Sequence, residues 1–164
     1  MKVDDTIFTS CYIITPDIYR DYRGEYTEIY NEEQFSNELN KFKFVQDDIS
    51  LSYKNVLRGF HGDDRTWKLI SCLYGRFQFV VIDYRPDSPT FKKSMSMVLD
   101  DKLRQQVLVP PEFGNAHLCL SDTCLFHYKQ TSYYTGAENQ FTISWKQFNG
   151  WAIDNPILSE RDNI

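Results

Sequence analysis

From Lys68 onward the chain is a succession of short apolar runs, each closed by turn residues. That rhythm constrains the fold more than any other feature of the sequence. Lys68 to Leu73 and Phe77 to Asp83 flank Tyr74-Gly75-Arg76, a hairpin signature. Pro86-Asp87-Ser88-Pro89 is a turn, Ser94 to Leu99 alternates, and Asp100-Asp101-Lys102 reverses the chain again. Gln105 to Val109 is stopped by Pro110-Pro111, and His117 to Leu120, Cys124 to Thr131 and Phe141 to Trp145 complete the set. Short strands at regular spacing predict an all-β sandwich or barrel.

The first third is more mixed. Cys11 to Thr15 reads as a strand ended by Pro16, and a turn at Arg23-Gly24 leads into an alternating strand. Asn31 to Leu39 is the best helix candidate, with Glu32 and Glu33 in its first turn. Phe42 to Leu51 is extended and carries Gln46, Asp47 and Asp48. The tail from Asn155 to Asp162 is polar and reads as a frayed terminus. No internal repeat or linker interrupts the 164 residues, so one domain over 1–164 is expected.

A content of 41% hydrophobic and 25% charged residues describes an ordinary globule. The net charge of −5 argues against nucleic acid or an anionic membrane as the main partner, although a pocket can still be locally basic. No apolar run opens the chain or approaches the length of a membrane span, so a cytoplasmic protein is expected. Cys11, Cys72, Cys119 and Cys124 lack C-x-x-C spacing and sit in strand-like runs, which predicts buried, reduced thiols.

The stretch from Val56 to Leu69 gathers His61, three cations and two carboxylates between apolar segments. A structural strand has no use for so many ionisable groups, but a polar pocket has. His61 reads as a base and Lys68 as an anion stabiliser. Arg58 and His61 are three residues apart, so a regular strand would send them to opposite faces; Gly59 permits a bulge that would bring both to one pocket. Tyr128 is either a core tyrosine with a bonded hydroxyl or a general acid. Alternation puts His127 on the opposite face from Tyr128, in a surface or structural role, and leaves His117 undecided. His61-Gly62-Asp63 has no second histidine nearby, too few ligands for a metal site.

With these residues in place, the chain resembles the dTDP-4-dehydrorhamnose 3,5-epimerase family. The resemblance is carried by Val56-Leu57-Arg58-Gly59-Phe60-His61, Asp83 to Phe91, Val109 to Gly114, Leu120-Ser121-Asp122-Thr123, Tyr128 to Tyr134 and Leu158-Ser159-Glu160-Arg161-Asp162. These colinear motifs extend from Ile13 to Asp162. The resemblance implies a cupin-type jelly roll, a homodimer, no metal or other cofactor, and epimerisation of a nucleotide-linked 4-keto sugar. It implies that His61 is the base, Asp162 its orienting carboxylate, Lys68 the enolate stabiliser and Tyr128 the acid. Arg58 and Arg23 match pyrophosphate and sugar contacts, with Arg23 reaching the partner subunit's site. Tyr134 matches a residue near the nucleotide base, and Gln46, Asp48, Asn115 and His117 complete the expected substrate-binding set.

The departures point to a branch. Gly114-Asn115-Ala116-His117 stands where the family usually has Ala-His-Gly-Phe, and Asp154-Asn155-Pro156 replaces Asp-Trp-Pro. Gly114-Asn115-Ala116-His117, together with Gly62-Asp63 and Gln140-Phe141-Thr142, looks more like epimerases of GDP-4-keto-heptoses in bacterial capsule synthesis. The expected substrate is therefore a GDP-4-keto-heptose, with dTDP-4-keto-6-deoxyglucose as the alternative and a metal-dependent cupin as a distant third.

Overall fold

The computed structural model describes residues 1–39 and 42–164. Two antiparallel sheets face one another. One has six strands in the order β1 (Lys2–Asp5), β2 (Tyr12–Thr15), β10 (Gln106–Val109), β7 (Lys68–Tyr74), β12 (Thr123–Gln130) and β5 (Gln46–Tyr53). The other has five: β13 (Phe141–Thr142), β6 (Leu57–Gly62), β11 (Phe113–Cys119), β8 (Arg76–Asp83) and β9 (Ser94–Asp100). The architecture is the expected cupin-type jelly roll. A separate hairpin, β3 (Ile18–Asp21) with β4 (Gly24–Thr27), turns at Arg23-Gly24 as the sequence suggested.

Alternation along the strands divides the apolar side chains among three clusters. Between the sheets lie Ile70, Cys72, Phe77, Phe79, Val107, Phe113 and Phe126, with Tyr128 packed against them. On the outer face of the six-stranded sheet, Leu69, Leu108 and Ile14 are covered by Phe35 of helix α1 (Glu32–Glu38) and by Phe42. The helix starts where the sequence placed it because the Asn31 side chain accepts from the backbone N–H groups of Glu33 and Gln34. On the outer face of the five-stranded sheet, Phe60, Val80 and Ile82 are covered by Ile143, Phe148 and Trp151. All four cysteines are buried and unpaired.

Three local expectations need correction. Tyr74-Gly75-Arg76 does not close a hairpin: β7 and β8 belong to different sheets, and the chain crosses between them at Gly75, whose φ is +73°. Gly75 does turn the chain, but β7 pairs with β10 and β12, and β8 with β9 and β11. The segment from Phe141 forms only two residues of strand before a 3-10 turn at Trp145–Gln147. The tail is not frayed: Ile157 bridges Val56, and Asp162 is 3% exposed. Among the described residues, no helix is long and apolar enough to cross a membrane.

Candidate active site

A cavity of about 360 Å³ opens between the two sheets at the β5 and β6 side. Inward-facing residues of five strands line it: Ser50 on β5, Arg58 and His61 on β6, Lys68 on β7, Asn115 and His117 on β11, and Phe126 and Tyr128 on β12. Tyr134, Gln140, Ser159, Arg161 and Asp162 contribute from the segments that follow.

Arg58 and His61 share this cavity because β6 is bulged. Its ladder with β11 pairs Asn115 with His61 and His117 with Arg58, so three steps along β6 match two along β11. Gly59 absorbs the extra residue with φ +114°, and a Cβ there would sit 2.8 Å from the Cα of Ala116. Only glycine fits that backbone and that gap.

His61 Nε2 lies 2.6 Å from Asp162 Oδ1. Burial works against the ionised Asp162 carboxylate. The hydrogen bond to His61, together with bonds from the Gly59 N–H and Ser159, outweighs that and holds its pKa below the ordinary range. An ionised Asp162 accepts the hydrogen bond of the Nε2–H, which fixes the ring and makes Nδ1 the nitrogen turned to other partners. The tail thus carries the orienting half of a histidine–carboxylate pair across 101 residues of sequence.

Lys68 is 7% exposed, and burial depresses its pKa, opposed by Asp63 and reinforced by Arg161. Its ammonium sits 6.0 Å from the centroid of the Tyr128 ring. Burial, then the nearby Asp48 and Tyr134, push the Tyr128 phenol up to about 12, so it carries its proton at neutral pH. The cavity therefore holds a carboxylate-paired imidazole, a protonated phenol and a poorly solvated cation.

The structure places the other predicted residues unevenly. Asn115 and His117 line the cavity, but the Asn115 amide donates to the His61 carbonyl at 2.9 Å. Gln46 and Asp48 stand beside the cavity, not in its lining: Gln46 Nε2 donates to Asp48 at 2.8 Å, and Gln46 Oε1 accepts from the Tyr134 N–H at 2.9 Å. They hold the Tyr134 loop against β5. Arg23 is also outside the cavity, on the exposed β3–β4 hairpin, where its guanidinium pairs with Asp21 at 2.6 Å. His127 faces away from Tyr128, as alternation required, and is buried 3.9 Å from Asp47. Sequence reasoning missed Ser50, Gln140, Ser159 and Arg161 as lining residues. Ser50 was signalled by its period-two spacing from Ser52 and Asp48, and Arg161 by its place beside Asp162.

A jelly roll with a histidine–carboxylate pair, a tyrosine and a buried lysine around one cavity is the arrangement of a cupin-type protein with a polar, ligand-sized pocket. The family model described as dTDP-4-dehydrorhamnose 3,5-epimerase matches residues 5–164, and the chain belongs to that family. The chain is 37% identical to the dTDP-4-dehydrorhamnose 3,5-epimerase of Escherichia coli K12, over 99% of this chain and 91% of that one. The Shigella flexneri enzyme is 34% identical, over 99% and 93%. Among solved structures, the Bacillus anthracis dTDP-4-dehydrorhamnose 3,5-epimerase with TDP and pyrophosphate bound superposes with a TM-score of 0.94 at 32% identity, covering 99% of this chain and 97% of that one. A Legionella pneumophila 3,5-epimerase in complex with dTDP-4-keto-L-rhamnose gives 0.92 at 33% identity, covering 98% and 89%.

Proposed function

We propose that the chain inverts carbon centres flanking the ketone of a nucleoside-diphosphate 4-keto sugar, with His61 as base and Tyr128 as acid. The observation that carries this is the convergence of His61, Lys68 and Tyr128 on one cavity with Asp162 behind His61. A C4 ketone acidifies the neighbouring C–H bonds because the electron pair left behind delocalises onto oxygen. His61 Nδ1 takes the proton, and Asp162 stabilises the imidazolium that forms. Lys68 faces the developing enolate oxygen; such a donor in a poorly solvated site contributes about 3–4 kcal/mol. Tyr128 returns a proton to carbon from the opposite face, and the enolate electron pair forms the new C–H bond. Arg58 offers a forked donor to the diphosphate.

The relatives favour a dTDP-linked 4-keto-6-deoxyhexose as substrate. A GDP-4-keto-heptose is the second reading, favoured by Asn115 and His117 in place of the family's usual His and Phe. Incubation with each 4-keto nucleotide sugar in D₂O, followed by NMR and mass spectrometry, decides. Deuterium at C3, C5 or both of one substrate supports epimerisation and names the centres. No deuterium in either overturns the reading.

The working unit in this proposal is a homodimer. Arg23 sits on a hairpin that projects Tyr22, 96% exposed, together with Tyr19 and Tyr26. Solvent-facing tyrosines around an arginine suit a contact with a second copy, where Arg23 would complete that copy's cavity.

A further inference from the structure

Behind Arg58 lies a polar chain that the reaction itself does not use. Arg58 Nε donates to Ser52 Oγ at 3.0 Å, and Arg58 Nη2 reaches the Leu51 carbonyl at 3.4 Å. Ser52 is 1% exposed and stands 3.3 Å from Nε2 of His117, itself 3% exposed. Arginine only donates, so it cannot take the Ser52 hydroxyl proton; His117 Nε2 can. Among the described residues His117 Nε2 is the one acceptor in reach of the Ser52 hydroxyl, which gives the chain the direction Arg58 to Ser52 to His117, with a neutral His117 protonated on Nδ1. The imidazole is fixed by stacking on Phe126, with ring centroids 4.1 Å apart and planes 8° from parallel, and by Phe77 at 5.3 Å.

We infer that His117 and Ser52 are positioning residues that aim the Arg58 guanidinium into the cavity, His117 acting as terminal acceptor and not as a substrate contact. The exposed Arg58 side chain would otherwise sample many rotamers, and fixing Nε leaves Nη1 and the remaining N–H of Nη2 for an anion in the cavity. Burial, reinforced by the charge on Arg58, drives the His117 pKa down to about 3, consistent with a ring that accepts throughout the neutral range. The inference rests on the proposed diphosphate role of Arg58.

The test is calorimetric titration of dTDP and GDP, carrying the tighter ligand through, together with KM and kcat. S52A removes the link, H117F keeps the stack without the acceptor, and H117Q places an amide oxygen near the lost Nε2. S52A and H117F are expected each to weaken the nucleotide about tenfold, the effect of losing one well-placed charge-assisted hydrogen bond. KM should rise more than kcat falls, the double variant should be no worse than either single, and H117Q should recover most of the loss. Wild-type affinity in S52A, or losses that multiply in the double variant, would overturn the inference. If H117F fails to fold, S52A and H117Q still decide. R58A separates the two layers: unchanged affinity there removes the diphosphate role itself, whereas weak binding in R58A with intact binding in S52A overturns only the positioning chain.

Discussion

At the scale of single residues, the cavity is a set of side chains whose ordinary acidities have been moved apart. Lys68 is pushed below 10.5 and Tyr128 up to about 12 by the same cause, removal of water from the charged form. On raising the pH, Lys68 therefore loses its proton before Tyr128 does. The alkaline limb of the rate profile is expected below the ordinary lysine range, and Lys68→Arg, if it retains activity, should move that limb upward. A limb that stays put in Lys68→Arg would assign it to another group. His61 and Lys68 were legible in the sequence because so many ionisable groups crowded one short stretch. Ser50, Gln140 and Arg161 were not, since isolated polar residues announce no cavity until strands from both sheets are set around it.

At the scale of elements, one local device shapes a wall of the site and another ties down the turn after β8. The β6 bulge depends on Gly59, and Gly59→Ala combines an unfavourable positive φ with contact against Ala116. A loss of roughly 2–5 kcal/mol in urea unfolding is expected, with activity falling in the folded fraction. A cost under 0.5 kcal/mol would mean that the backbone there is free to relax. The second device is the turn after β8. Burial would raise the Asp83 pKa, but hydrogen bonds from Arg85, Ser88 and Thr90 overrule it and hold it at about 2. A carboxylate lowered in the folded state contributes stability above its unfolded pKa and loses it as pH falls through the folded value. Asp83 should thus contribute about 2 kcal/mol at neutral pH, fading between about pH 4 and pH 2. Denaturant titrations of Asp83→Asn at pH 7 and pH 2.5 measure it: the deficit should shrink on acidification. The bulge was anticipated from the Arg58 to His61 spacing, because period-two alternation is a strict local rule. The β7 and β8 partners were not, because a glycine turn has the same local chemistry whether the next strand folds back or crosses to the facing sheet.

At the scale of the whole molecule, the jelly roll follows from the strand rhythm, but its closure does not. Asp162 lies in a polar tail that alternation rules cannot place; the family resemblance singled it out, and the Ile157–Val56 bridge carries the chain end to β6. The proposed dimer is tested at this scale. If Arg23 works in the partner's cavity, mixing inactive His61→Asn and Arg23→Ala subunits should restore about a quarter of wild-type activity, since half of randomly formed dimers would hold one intact site. No recovery after verified subunit exchange would remove Arg23 from the partner's site.

The central claim is that one imidazole removes the proton beside the ketone and one phenol replaces it. Mass spectrometry of solvent deuterium entering the 4-keto nucleotide sugar measures this directly. His61→Asn should slow incorporation by about 10²–10⁴-fold, while Tyr128→Phe should still release substrate hydrogen but accumulate little inverted product. Incorporation at the wild-type rate in His61→Asn would contradict the account.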